Sequence, residues 1–152
     1  MSEQPRRARH AACLLTALAV AAACAPVWPT LHAAAPVSPA SAYECATAQA
    51  KALGFTPTNF DRDAYDLEAR RQDRAAPDLR SQPDRRYEVL VVQARGGGAS
   101  GGSTLHVQPG NIVRHFTREG WQEERIAPNA GARAAADTLI ARCAAALPAN
   151  AP

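Results

Sequence analysis

Cys45 and Cys143 stand near the two ends of the part of this chain that can fold. If they are bonded, the first and last elements of the fold must lie side by side. That requirement excludes most arrangements of the segments between them. Bonding depends on compartment, because disulfides persist where the surroundings are oxidising. The start of the chain bears on this. Arg6, Arg7 and Arg9 precede an uncharged run, Ala11 to Ala23, built mostly of Ala, Leu and Val, and no acidic residue falls between Glu3 and Glu44. A basic start, an apolar run of about 7–15 residues and then small residues is the layout of a secretory leader. The run is short for a spanning helix, which needs about 20 apolar residues. Export is therefore expected, and the pair Arg6-Arg7 leaves a twin-arginine route open.

Two cuts are compatible with the leader. One follows Ala33, where Leu31-His32-Ala33 offers a small residue at the bond. The other precedes Cys24. Ala21-Ala22-Ala23-Cys24 resembles the lipobox of bacterial lipoproteins, in which small residues precede a cysteine that becomes lipidated. The resemblance covers four residues, and Ala21 stands where Leu is commonest. It would make Cys24 a candidate lipidation site and the one means of holding the chain to a membrane. Cuts just before Pro26 or Pro36 are disfavoured, because proline beside the bond hinders a peptidase. The expected organisation is thus a leader over 1–33, or 1–23 if Cys24 is lipidated. An Ala/Pro/Ser linker over 34–42, a single domain over 43–148 and a tail over 149–152 follow.

From Ala34 onward there are 14 basic and 13 acidic side chains, so the arginines of the leader carry most of the chain's net charge of +3. A near-neutral exported domain is not a nucleic-acid binder, which would concentrate basic charge on one face. Cys45 and Cys143 lack the Cys-x-x-Cys spacing of a redox or metal pair. A structural disulfide between them is the expected reading, and an even pair in an oxidising compartment suits it.

The domain reads as helix, strands, helix. Ser41 to Glu44 has the form of a capping box opening an alanine-rich helix, which Gly54 stops. Phe55 to Phe60 is a short strand kept at an edge by Pro57. Tyr65, Leu67 and Ala69 alternate with charged residues as a half-buried strand. A charged loop is expected from Arg71 to Arg86. Tyr87 to Ala94 is apolar on both faces and suits a central strand covered on each side. A glycine-rich connection leads to a hairpin of Ser103–Val107 and Ile112–Arg118 around Gln108-Pro109-Gly110-Asn111. That hairpin would put Leu105, Val107, Ile112 and Phe116 on one face and His106, Val113 and His115 on the other. A last strand over Trp121–Ile126 and a helix capped by Asn129 complete the domain. Ala132, Ala136, Leu139, Ile140, Cys143 and Leu147 form that helix's apolar stripe. The expected class is α+β: a two-layer sandwich with an antiparallel sheet of about 4–6 strands, its N-terminal and C-terminal helices joined by the disulfide.

Several patterns invite a chemical reading. Gly98-Ala99-Ser100-Gly101-Gly102 fits Gly-x-Ser-x-Gly, but a hydrolase elbow needs a helix after it, and Ser103-Thr104-Leu105-His106 reads as strand. The same glycines lack the Lys-Ser/Thr of a phosphate loop. His106 and His115 would need a third metal ligand, for which Glu88 or Glu123 are the nearest choices, so exposed strand histidines are expected instead. Arg70, Arg71, Arg74, Arg80, Arg85 and Arg86 alternate with Asp73, Asp78 and Asp84, which weakens any long-range pull on an anion. Trp121, Tyr65 and Tyr87 are expected in or near the core. The expectation is an exported periplasmic or outer-membrane protein with no cofactor, no metal and no catalytic residues. It would act by binding or assembly with an envelope partner, or as an inhibitor or small-ligand module.

Overall fold

The structure is a computed structural model, and it describes residues 28–73, 85–97 and 101–144. Among these residues eight elements follow one another: β1 Leu31–Ala35, α1 Pro39–Ala52, β2 Thr56–Asp61, β3 Asp66–Gln72, β4 Arg85–Gly97, β5 Gly102–Thr117, β6 Gly120–Ile126 and α2 Ala130–Ala144. Among the described residues the class is α+β, with an antiparallel sheet of six strands and two helices. The sheet order is β1-β5-β4-β3-β2, and β6 also pairs with β5. Strand β5 is therefore shared. Its first half, Ser103–Val107, pairs with β1, and its second half, Asn111–Thr117, pairs with β6.

Both helices pack on one face of the sheet. That face carries Leu67, Ala69, Leu90, Val92, Ala94, Leu105 and Val107, which form one buried cluster with Ala42, Ala46 and Ala50 of α1 and Ala135, Ala136 and Leu139 of α2. Alanine is the common currency of the helix side. A methyl group lets a helix lie close to its neighbours, and close packing recovers the dispersion energy a larger side chain would bring. The helices meet where Cys45 and Cys143 are bonded, with Cα atoms 5.8 Å apart. Arg142 Nη1 donates to Gln49 Oε1 at 2.8 Å along the same seam.

Helix α1 starts earlier than the capping box implies. Ser38 is its N-cap, accepting from Ser41 N at 3.2 Å, and Pro39 follows inside the first turn. Proline suits that position because its φ is already helical and its missing N–H is not needed there. Gly54, at φ +83°, provides the expected left-handed stop. Residues 34–42, expected as linker, are instead the end of β1, a short connection and the first residues of α1. In α2, Asn129 Oδ1 accepts from Ala132 N at 2.8 Å, as an N-cap should.

The expected hairpin at Gln108–Asn111 does not form. Residues 102–117 run as one strand, in unbroken register with β4. Two local facts make this tolerable. Pro109 lies between Val107, the last partner of β1, and Asn111, the first partner of β6, so neither strand on that edge pairs with the residue that lacks an N–H. Gly110 lies beneath the Trp28 indole, where any Cβ would collide with the ring. Without a turn, the side-chain alternation continues. Leu105 and Val107 face the helices, while Ile112 and Phe116 face the other way.

That second face is not bare. Trp28 is 6% exposed and forms a small cluster with Val89, Ile112 and the half-buried Val91. Its Nε1 donates to the Ile126 carbonyl at 2.8 Å, and the Arg125 guanidinium lies 4.7 Å from the ring centre. So β4, central between β3 and β5, is covered on both faces, by helices on one and by Trp28 on the other.

Candidate functional site

A groove of about 570 Å³ runs between α1 and the β2–β3 hairpin. Its walls come from sequence-adjacent elements. Tyr43, Thr47 and Lys51 project from α1 at helical spacing, while Pro57, Phe60 and Leu67 come from the hairpin. Phe60 contributes an exposed ring to this lining, 61% open to solvent.

Tyr65 also lines the groove. It is the non-glycine residue with positive φ among those described, at +54°. For an L-residue with a side chain this region costs on the order of 1–2 kcal/mol. The turn before it is fixed from three sides. Asp61 Oδ1 accepts from Asp63 N at 2.9 Å and Ala64 N at 3.0 Å, and Arg95 Nη1 donates to the Ala64 carbonyl at 2.6 Å. Ala94 N donates to the Tyr65 carbonyl at 3.1 Å. The strained backbone directs the Tyr65 ring toward Tyr43, 6.1 Å between centres. Glu44, Lys51 and Arg62 supply charge at the rim. The groove combines aromatic surface with mixed charge, the makeup of a concave ligand site.

A polar row crosses the helix-covered face at the other end of the sheet. Arg71, Glu88 and Asn111 are in register on β3, β4 and β5. Glu88 is buried and accepts from Arg71 Nε; Arg71 Nη1 also donates to the Leu53 carbonyl at 2.7 Å. Asn111 Oδ1 accepts from Asn129 N at 2.7 Å, and Asn129 Nδ2 donates to Asp73 at 3.1 Å. These bonds tie the end of α1 and the start of α2 to the sheet. The cluster satisfies itself, which marks it as structural.

Other candidates are separated by the fold. His106 and His115 lie nine residues apart on an unbroken strand and so face opposite sides of the sheet. His106 meets His32 of β1 instead, edge to face at 4.6 Å between ring centres. Glu88 is engaged with Arg71, and Glu123 accepts from Arg70 Nη1 at 2.9 Å. Among the described residues no group of three or more potential ligands could hold a metal ion. Burial alone would lower the Arg70 guanidinium, but its hydrogen bonds with Glu123 and Glu68 outweigh that and raise it above its ordinary value. Arg70 and Arg71 are thus committed to internal pairs, while Arg85 and Arg86 are exposed. Arg74, Arg80, Asp78, Asp84, Ser100 and Cys24 lie outside the described residues. Gly102 opens strand β5, so a helix does not follow the Gly-x-Ser-x-Gly segment. Trp121, expected near the core, is 42% exposed on β6 and packs edge-on against Phe116, with Arg114 4.8 Å above its ring. The reason is register: Trp121 pairs with Phe116 at the far end of β5, beyond the area the helices or Trp28 cover.

Sequence reasoning missed Trp28 and the groove. Trp28 carried a signal, a large aromatic just after the small residues of the leader, but that stretch reads equally as leader. Nothing in the sequence marks Tyr65 as left-handed. Neither a protein-family model nor a curated protein matches this chain.

Proposed function

We propose that this chain is an exported bacterial envelope protein, a two-layer sandwich that acts by binding, in an accessory or assembly role, and not by catalysis. Periplasmic or outer-membrane residence is supported by the basic-apolar-small layout of residues 1–23, and Cys24 is the candidate membrane anchor. The observation that carries the reading is the Cys45–Cys143 disulfide, which belongs to an oxidising compartment. Cell fractionation with thiol labelling tests it. The protein should partition with the envelope and show no free thiol at Cys45 or Cys143. A cytoplasmic protein with both thiols free would overturn it.

The groove beside Tyr65 favours a second reading, a periplasmic inhibitor or small-ligand module. The variant Tyr65→Asn separates groove function from folding. Asparagine tolerates the left-handed region, so the fold should persist with a thermal midpoint within a few degrees. Binding to a partner recovered by cross-linking in the envelope should weaken about tenfold or more if the groove is the contact, by loss of the aromatic wall. Undiminished binding in Tyr65→Asn would place the contact elsewhere.

A further inference from the structure

We infer that the leader is cut at the Ala23–Cys24 bond, so that the working protein begins at Cys24 and keeps Trp28 and β1. The inference rests on the export reading above and deepens it by fixing the processing site.

The cut after Ala33 yields a chain that lacks part of its own fold. It removes Trp28, and with it the ring that lies on Gly110, covers Val89 and Ile112 and donates to the Ile126 carbonyl. It removes Leu31, His32 and Ala33 from β1, three of the five residues that pair with Ser103–Val107. It also removes Thr30, whose Oγ1 accepts from Gln108 Nε2 at 2.7 Å. The remaining sheet would carry an unpaired edge along Leu105–Val107 and an uncovered apolar patch on β4 and β5. Gly110 is the independent witness. A glycine in mid-strand weakens the strand unless something must lie against its backbone, and here the Trp28 ring does.

The cut must therefore precede Trp28 and follow the apolar run that ends at Ala23. Within that window stand Cys24, Ala25, Pro26 and Val27. Pro26 obstructs the bonds beside it. Ala21-Ala22-Ala23 places three small residues before Cys24, as a peptidase cleft requires. Hydrolysis there adds water across the amide, leaving a carboxylate on Ala23 and an amine on Cys24.

Two measurements test this. In the first, the full chain is expressed in an export-competent bacterium, and the N-terminus of the envelope-borne product is mapped by mass spectrometry. A product starting at Cys24 is expected, and the mass of that residue reports whether a diacylglycerol group is attached. A product starting at Ala34 overturns the inference, and one starting between Ala25 and Val27 overturns the choice of bond. An uncut chain in the cytoplasm overturns the export reading itself, and so is distinct from a misplaced cut. The second compares the two mature chains, 24–152 and 34–152, by denaturant unfolding. The shorter should lose about a hundredfold or more in its folding constant, as buried aromatic removal does. Equal stability of the two chains would remove the structural argument for the earlier cut.

Discussion

At the scale of single residues, the pair Trp28 and Gly110 holds the second face of the sheet together, and its two members constrain each other. Trp28→Ala should cost about 3–5 kcal/mol, the usual range for truncating a buried tryptophan. Gly110→Ala should be severe in the native chain, because the added Cβ enters the indole ring. In the Trp28→Ala background the same glycine change should cost much less, since the obstacle is gone. Chemical denaturation of the four proteins in that cycle gives the coupling directly; additive penalties would show that the ring does not sit where the structure has it. Neither residue could be understood from sequence alone. Gly110 follows a proline, and Pro-Gly is a turn signal wherever no tertiary contact competes. The competing contact comes from a residue 82 positions earlier, inside a stretch whose composition suits a leader. Local rules fail there because a non-local contact decides the backbone.

At the scale of elements, most of what was legible depended on periodicity. The two helices, Gly54 as stop, Asn129 as cap and the central place of β4 all follow from spacing and end signals. Pro57 does lie on the terminal strand, β2. Boundaries were less legible. Ser38 displaced Ser41 as cap because Pro39 can enter a first turn, so the helix gained residues assigned to a linker. The groove was not legible, because it is made by a turn that bends Tyr65 into a conformation its residue type disfavours. The staple between α1 and α2 also belongs to this scale. It closes a loop with a sequence separation of 98 residues. On the chain-entropy account, a loop of that size is worth about 4–5 kcal/mol, mostly by restricting the unfolded chain. Replacing both cysteines by alanine should lower the unfolding free energy by that amount, seen as a urea midpoint reduced by that energy divided by the m-value, without altering the far-ultraviolet circular dichroism at low denaturant. An unchanged midpoint would show that helix packing alone sets the stability.

For the molecule as a whole, the disulfide divides the chain into parts that respond differently to being pulled. Everything from Cys45 to Cys143 lies within a covalent ring, while Trp28, β1 and the first residues of α1 lie outside it. A protein held by its N-terminus feels tension first through that outer part. Force applied across the two termini in an optical trap can unravel residues 28–44 but cannot lengthen the ring. The oxidised domain should therefore yield roughly 60 Å of contour at about 3.5 Å per residue, and only a reductant should release the rest. The bond that fastens one helix to the other thus acts as a mechanical stop: the margin of the sheet can give way under load while the ringed body stays closed and returns to it.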